Sequence, residues 1–101
     1  AMMDKAAVKK YIDENPVMIF SKSSCPYCLK AKKVFEKLGV KYTALELDTL
    51  DETSEVQDIL GEITGARSVP RVFIKGEFVG GGDDVVAKEK SGELQKLLSK
   101  L

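Results

Sequence analysis

The sequence predicts an α/β fold, in which a four-stranded mixed β-sheet carries helices on both faces. Short apolar runs of strand length alternate along the chain with segments whose apolar residues recur at the i, i+3, i+4 and i+7 spacing of an amphipathic helix. A strand–helix–strand unit gives two parallel strands, and Lys75-Gly76 is the predicted turn of an antiparallel hairpin. The 101 residues suit a single domain that spans the whole sequence, 1–101.

The first half of the chain predicts two helix–strand pairs. Residues 4–13 form a short helix, and the continuous apolar run 17–20 follows as a buried strand. A second helix ends at Gly39, where a left-handed cap is favoured, and a second strand follows over 41–47. The apolar face of the second helix carries Ala31, Val34, Phe35 and Leu38.

The second half predicts a helix, a hairpin and a last helix. Cap-forming residues over 51–54 open a helix that ends at Gly65. Strands over 71–74 and 77–79 form the hairpin, and the glycine-rich stretch 80–84 is predicted to be a flexible loop that ends in helix-capping residues. The last helix is predicted from the spacing of Leu94, Leu97, Leu98 and Leu101.

Composition excludes several classes of function. Lysine and arginine total 16 and aspartate and glutamate total 16, so the formal net charge is zero, and neither nucleic acid nor a membrane is expected as a partner. The absence of histidine removes Ser–His and Cys–His nucleophile pairs and histidine metal sites. No apolar run approaches the roughly 18 residues that a membrane span requires.

The same features set expectations about where the chain works. With no visible signal peptide and a single close pair of cysteines, we expect a cytoplasmic monomer, or an organellar protein if a transit peptide has been removed. We interpret Ala1 and Met2, ahead of Met3, as a remnant of cloning.

The two cysteines, Cys25 and Cys28, lie where the first strand leads into the second helix. A disulfide that closes so short a loop would hardly constrain the unfolded chain, so the pair is placed for chemistry rather than for stability. An inert structural pair and a zinc site are the weaker alternatives, because zinc takes four ligands and this chain offers two thiols.

The start of a helix favours a reactive thiol. If Cys25 is the N-cap, Pro26 occupies the first helical position, where its missing N–H costs nothing. The sulfur then faces free N–H groups and the positive end of the helix dipole, and Lys22 adds a charge, so the predicted pKa lies below the ~8.5 of a free thiol. Cys28, one turn further into the helix, should be less exposed and less acidic. We therefore predict Cys25 as the nucleophile of disulfide exchange and Cys28 as the resolving thiol.

Three segments carry a family signature: Cys25-Pro26-Tyr27-Cys28, residues 64–74 and residues 80–84. Together they resemble the dithiol glutaredoxins, and the similarity extends over about 8–98. The resemblance implies a thioredoxin fold, a cis peptide bond before Pro70 and glutathione-dependent thiol–disulfide exchange. Glutathione would be the co-substrate, and glutathionylated and disulfide-containing proteins would be the partners, with no metal.

The resemblance also implies a glutathione site. Gly81 and Gly82 would begin a helix whose N–H groups bind the γ-glutamyl carboxylate, and Asp83 would pair with the adjacent ammonium, with Asp84 as a helper or alternative. Plain helix capping is the other role open to both aspartates. Tyr27 would line the groove or would simply be a half-exposed aromatic. Many family members carry Cys or Ser where this chain has Gly82, but the contact there is expected from the backbone.

Other residues match the opposite end of the ligand. Lys22 and Gln57 correspond to the family's positions for the glycine carboxylate, with ordinary solvated surface as the alternative for Gln57. Arg67 is a further candidate cation, and a structural salt bridge is an equal alternative for it. Val69, held extended by Pro70, can pair its backbone with the cysteine of glutathione.

A different class of function would use the same thiol. Some glutaredoxins bridge a [2Fe–2S] cluster across a dimer with one cysteine from each subunit and two glutathiones, and Cys25 would be that ligand here. Pro26 stiffens the turn, and its pairing with Tyr27 makes this the weaker interpretation. A general thioredoxin-type reductase is weaker again, because the sequence has no tryptophan.

Overall fold

The computed structural model describes residues 3–101 and shows the predicted four-stranded mixed sheet. Residues 1–2, which we interpret as a remnant of cloning, lie outside the described residues. The strands are β1 (Val17–Ser21), β2 (Thr43–Glu46), β3 (Arg71–Ile74) and β4 (Glu77–Gly80). They stand in the order β2-β1-β3-β4, with β1 and β2 parallel and the other two pairs antiparallel.

Helices cover both faces of this sheet. They are α1 (Lys5–Glu14), α2 (Pro26–Lys37), α3 (Thr53–Thr64), α4 (Gly82–Ser91) and α5 (Glu93–Leu98), with a short 3-10 turn at Leu47–Thr49. The apolar residues of α1 and α3 pack on one face, and those of α2, α4 and α5 pack on the other. The predicted layer arrangement is therefore confirmed.

β1 is buried along its whole length, which explains its continuous apolar sequence. Alternate residues of a strand point to opposite faces. Met18 and Phe20 pack with Phe73 beneath α1 and α3, whereas Val17 and Ile19 pack beneath α2, α4 and α5. Phe20 and Phe73 meet edge to face with ring centroids 5.8 Å apart. Two hydrophobic cores thus fix the strand from whose end the thiol pair follows.

Two helices stand where the sequence predicts a loop and one last helix. Gly80 ends β4 and residues 82–84 form the first turn of α4, so the predicted flexible loop over 80–84 is wrong, whereas the helix start that the resemblance implies at Gly81 and Gly82 is confirmed. Gly92, with φ 84°, separates α4 from α5, which corrects the single last helix. α4 buries Gly82 and Val85, and these two positions are too few to show a helical period in the sequence.

Smaller corrections concern the starts of two elements. The second strand begins at Thr43 rather than at residue 41. α3 follows Glu52, whose side chain makes no capping hydrogen bond. The hydroxyl of Thr53 instead donates to the carbonyl of Leu50 at 2.9 Å, which ties the helix start to the chain before it.

Gly80 connects β4 to α4 in a conformation that glycine alone adopts readily, with φ 142°. A Cβ at this position would lie 2.4 Å from the Cβ of Asp84. Asp84 in turn accepts a hydrogen bond from the N–H of Gly81 at 2.9 Å and so caps α4. The first turn of α4 is therefore held directly against the end of the sheet.

Gly80→Ala is expected to lower the free energy of unfolding by about 3 kcal/mol, because alanine adds both backbone strain and a clash with Asp84. Gly39→Ala is the matched control: Gly39 has φ 70°, but nothing lies within 4 Å of an added Cβ. Its cost should be about 1 kcal/mol, from backbone strain alone. Urea unfolding followed by circular dichroism measures both variants, and equal losses would contradict a stabilising role for the close approach.

Candidate active site

The thiol pair lies where β1 leads into α2. Cys25 is the N-cap residue of α2 and Pro26 stands in its first turn, as the sequence predicts. The backbone N–H of Cys28 donates a hydrogen bond to the sulfur of Cys25, with 3.2 Å between N and Sγ. The N–H of Cys25 itself donates to the carbonyl of Lys22 at 3.1 Å. An N–H donor that points at a sulfur stabilises negative charge on it.

Cys28 is the protected member of the pair. It is 1% exposed, whereas Cys25 is half-buried, and both are free thiols. Burial raises the pKa of the Cys28 thiol to about 11, and its hydrogen bond with Cys25 adds to the rise. The backbone of Lys22 and the hydroxyl of Ser21 oppose this rise in part. At neutral pH Cys28 is therefore a protonated, enclosed thiol.

The segment before β3 approaches Cys25 from the other side. The thiol of Cys25 donates to the carbonyl oxygen of Val69 at a distance of 3.8 Å. The peptide bond between Val69 and Pro70 is cis, as the family resemblance implies. Arg71 then begins β3 and pairs with Phe20 of β1. The sheet register thus fixes this segment beside the start of α2.

A groove of about 320 Å³ lies between the starts of α2 and α4 and the segment before β3. Its lining includes seven of the predicted site residues: Tyr27, Val69, Pro70, Gly81, Gly82, Asp83 and Asp84. A Cβ on Gly82 would lie 2.7 Å from the carbonyl oxygen of Tyr27, so a side chain there would push the two helix starts apart. Gly82 therefore allows the two helix starts to approach closely at a position where many family members carry Cys or Ser.

The two aspartates of the groove have different surroundings. Asp84 is exposed and accepts the N–H of Gly81, which is the capping role left open by the sequence. Asp83 is exposed at the rim, where its Oδ1 lies 3.4 Å from the Nζ of Lys30. Lys30 also lies 5.0 Å from the ring centroid of Tyr27. Asp84 is therefore tied to the helix start, whereas Asp83 is held only by an exposed ion pair.

The residues predicted for the other end of the ligand do not line this groove. Gln57 and Arg67 are joined to each other, because Nε2 of Gln57 donates to the Arg67 carbonyl at 3.0 Å. The side chain of Arg67 makes the alternative salt bridge, with Nε 2.7 Å from Oδ1 of Asp58. Lys22 lies in the turn before Cys25, and its charge contributes to a lowered pKa of Asp48, after the larger effect of hydrogen bonds from Ser23.

Known proteins share sequence similarity and the fold with this chain. Residues 17–79 match the family model described as Glutaredoxin. The chain belongs to the glutaredoxin family. It is 45% identical over 97 residues to a glutaredoxin of Ricinus communis, in an alignment that covers 96% of this chain and 95% of that protein. This glutaredoxin is therefore an enzyme, a thiol–disulfide oxidoreductase.

Solved glutaredoxin structures share the fold. Oxidised glutaredoxin 2 from Chlamydomonas reinhardtii superposes with a TM-score of 0.91 at 46% identity, covering 97% of this chain and 96% of that one. A buckwheat glutaredoxin–glutathione complex gives a TM-score of 0.93 at 38% identity, with 97% and 89% covered. The predicted thioredoxin fold is confirmed.

Two cations at the groove of this glutaredoxin were missed by the sequence analysis. Arg71 lines the groove, and Lys30 contacts Asp83 and Tyr27 at its rim. The signal for Lys30 was its position three residues after Tyr27, on a neighbouring part of the helix surface. The signal for Arg71 was its place directly after Pro70 at the start of a strand.

Among residues 3–101, no three His, Cys, Asp or Glu side chains are grouped so that they could hold a metal ion. Over the same residues, no helix combines the length and the apolar character needed to cross a membrane. A depression of about 350 Å³ on α1, beside Tyr11 and Asn15, lies at the opposite end of β1 from Cys25.

Iodoacetamide at pH 7 is expected to alkylate Cys25 at least about ten times faster than Cys28, because the thiolate is the reacting form and burial raises the pKa of Cys28 to about 11. Mass mapping of tryptic peptides after timed quenching measures both rates. Protein unfolded in urea is the control, in which the two thiols should react alike. Similar rates in the folded protein would contradict the assigned asymmetry.

Proposed function

We propose that this glutaredoxin reduces protein–glutathione mixed disulfides through Cys25 and protein disulfides through Cys25 together with Cys28, with glutathione as the co-substrate. The single observation that carries this proposal is the Cys25 sulfur at the start of α2, held 3.2 Å from the N–H of Cys28 and next to an open groove. The solved complex of a buckwheat relative with glutathione supports the choice of co-substrate.

The first step is attack by the Cys25 thiolate on the glutathione sulfur of a mixed disulfide. A bond forms between Cys25 Sγ and that sulfur, and the original disulfide bond breaks. The target protein leaves as a thiolate that takes a proton from solvent. A second glutathione thiolate then attacks the glutathione sulfur on Cys25, which frees the Cys25 thiolate and releases oxidised glutathione.

Protein disulfides follow a second route through Cys28. After Cys25 has formed a mixed disulfide with the target, the sulfur of Cys28 attacks the sulfur of Cys25. The Cys25–Cys28 bond forms, the bond to the target breaks, and the proton of Cys28 balances the departing thiolate. Because burial keeps Cys28 protonated at neutral pH, it does not compete with Cys25 for the first attack. Two glutathiones then reduce the enzyme disulfide.

Glutathione would lie along the groove with its sulfur at Cys25. The N–H groups of Gly82 and Asp83 stand in the first turn of α4, where they have no helical partner, and they would bind the γ-glutamyl carboxylate. The carboxylate of Asp83 would take the ammonium, since its present pairing with Lys30 is exposed and easily exchanged. The backbone of Val69 would pair with the cysteine of glutathione.

The remaining predicted contacts extend from this groove. Lys22, near Cys25, would attract the glycine carboxylate, with Gln57 as a second donor. Arg67 would act there only after it loosens its ion pair with Asp58. Tyr27, 53% exposed, would cover the apolar part of the ligand.

The proposal also includes the compartment and the oligomeric state of the enzyme. We place a monomer in the cytoplasm, with an organelle as the alternative, since similar glutaredoxins of rice and human are named chloroplastic and mitochondrial. An iron–sulfur cluster takes four sulfur ligands, so Cys25 would serve it only with a second copy of the chain and two glutathiones. That alternative stays a prediction from the family resemblance.

Cys25→Ser is expected to abolish reduction of a glutathionylated peptide, and Cys28→Ser is expected to retain it, because Cys28 enters only the protein-disulfide route. The measurement is release of the free peptide in the presence of glutathione, glutathione reductase and NADPH. The same Cys28→Ser protein should lose most of its activity on a protein disulfide. Turnover by Cys25→Ser would overturn the assignment of the nucleophile.

Asp83→Ala is expected to lower kcat/KM for a glutathionylated peptide about ten-fold, the loss that removal of one charged contact usually causes. Its free energy of unfolding should stay within about 0.5 kcal/mol of the wild type, since the residue is exposed. Asp84→Ala is the matched variant. It should keep kcat/KM close to the wild-type value and lose about 1 kcal/mol in the free energy of unfolding, because the helix cap is missing. If Asp84→Ala lost activity and Asp83→Ala lost stability, the roles of the two aspartates would be exchanged.

A further inference from the structure

The side chain of Arg71 makes three contacts with its surroundings. Its Nε donates to the carbonyl oxygen of Pro70 at 3.1 Å, and a second guanidinium nitrogen lies 3.5 Å from the hydroxyl of Thr64. The central carbon of the guanidinium lies 4.9 Å from the ring centroid of Phe78, a cation–π arrangement. These contacts orient the side chain in advance of any ligand, but none of them supplies a negative charge.

The charge of Arg71 is incompletely compensated. Arg71 is partly buried, and no carboxylate of residues 3–101 lies within 4.0 Å of its nitrogens, in contrast to Arg67, which pairs with Asp58. Burial lowers the pKa of Arg71, and the more distant charge of Asp84 opposes that effect. The carboxylate of Asp84 is already engaged with the N–H of Gly81. A partly desolvated cation without a close counter-ion favours an anionic ligand.

The free edge of the guanidinium faces the start of α4. A Cβ built on Gly81 would lie 3.1 Å from the Nη2 of Arg71, and Arg71 lines the same groove as Gly82 and Asp83. The guanidinium therefore lies in close contact with the start of α4, an approach that the missing side chain of Gly81 permits, and the space of the groove lies beside both. An anion in that space would meet a positive side chain and the positive end of a helix together.

We propose that Arg71 is a specificity-determining residue that binds the α-carboxylate of the γ-glutamyl group of the substrate. The inference rests on the proposed function, which supplies the γ-glutamyl ligand. Arg71 binds the α-carboxylate and Asp83 binds the α-ammonium, so the groove recognises the complete zwitterionic γ-glutamyl residue. The enzyme consequently discriminates against mixed disulfides of thiols that lack this carboxylate, even when sulfur, peptide bond and glycine end are the same.

The test compares two mixed disulfides of one peptide. One carries glutathione, and the other carries γ-aminobutyryl-cysteinyl-glycine, which keeps the ammonium and lacks only the α-carboxylate. The wild type should prefer the glutathione substrate at least about ten-fold in kcat/KM. Arg71→Met should reduce that preference at least about three-fold, and Arg71→Lys, which keeps the charge without the planar fork, should lie between.

Lys9→Met is the matched control, because Lys9 is an exposed cation on α1, on the sheet face away from α2 and α4, and its loss changes the net charge by the same amount. It should keep the wild-type preference. A variant that is merely less stable lowers both rates equally and leaves their ratio unchanged. An unchanged ratio in Arg71→Met, or a wild-type ratio near one, overturns the role of Arg71. A wild type that fails on the glutathione substrate itself overturns the proposed function instead.

Discussion

The hydrogen bond from the Cys28 N–H to the Cys25 sulfur is the contact around which the site is organised. It exists because Cys25 caps α2, and α2 starts where it does because β1 is fixed between two hydrophobic cores. The same geometry puts Cys28 one turn into the helix and out of solvent. A half-buried thiol that accepts an N–H and an enclosed thiol therefore follow from one helix start, in a chain that has no histidine.

The groove joins this helix start to a second one. α4 begins opposite α2, and the approach of Gly82 to the carbonyl of Tyr27 leaves no room for a side chain between them. Unpaired N–H groups at the start of α4 and the exposed carboxylate of Asp83 then face the same space, with Arg71 at its side. A chain with zero net charge thus presents separated charges at one place, where a small zwitterionic ligand can use them.

Much of this was predictable from the sequence, and the misses have physical causes. The apolar run of β1 and the helical spacing of α2 arise from burial, which leaves a direct pattern, and the N-cap position of Cys25 follows from Pro26. The start of α4 has no such pattern, because it is held by Gly80 and Asp84 across a turn. Arg71 was missed because its orientation depends on Phe78 of the next strand. The salt bridge of Arg67 could not be chosen over ligand binding, because the sequence does not show that Asp58 lies near it in space.

The burial of β1 also determines how the site moves. Hydrogen-bonded neighbours on both sides and helices over both faces mean that its amides open to solvent only when most of the domain unfolds. The turn with the thiols is attached to the end of this strand, whose amides we expect to exchange most slowly. We expect local side-chain movement at the outer parts of the groove, such as the exposed Asp83–Lys30 pair. A ligand can then be admitted and released while the two sulfurs keep their relative positions.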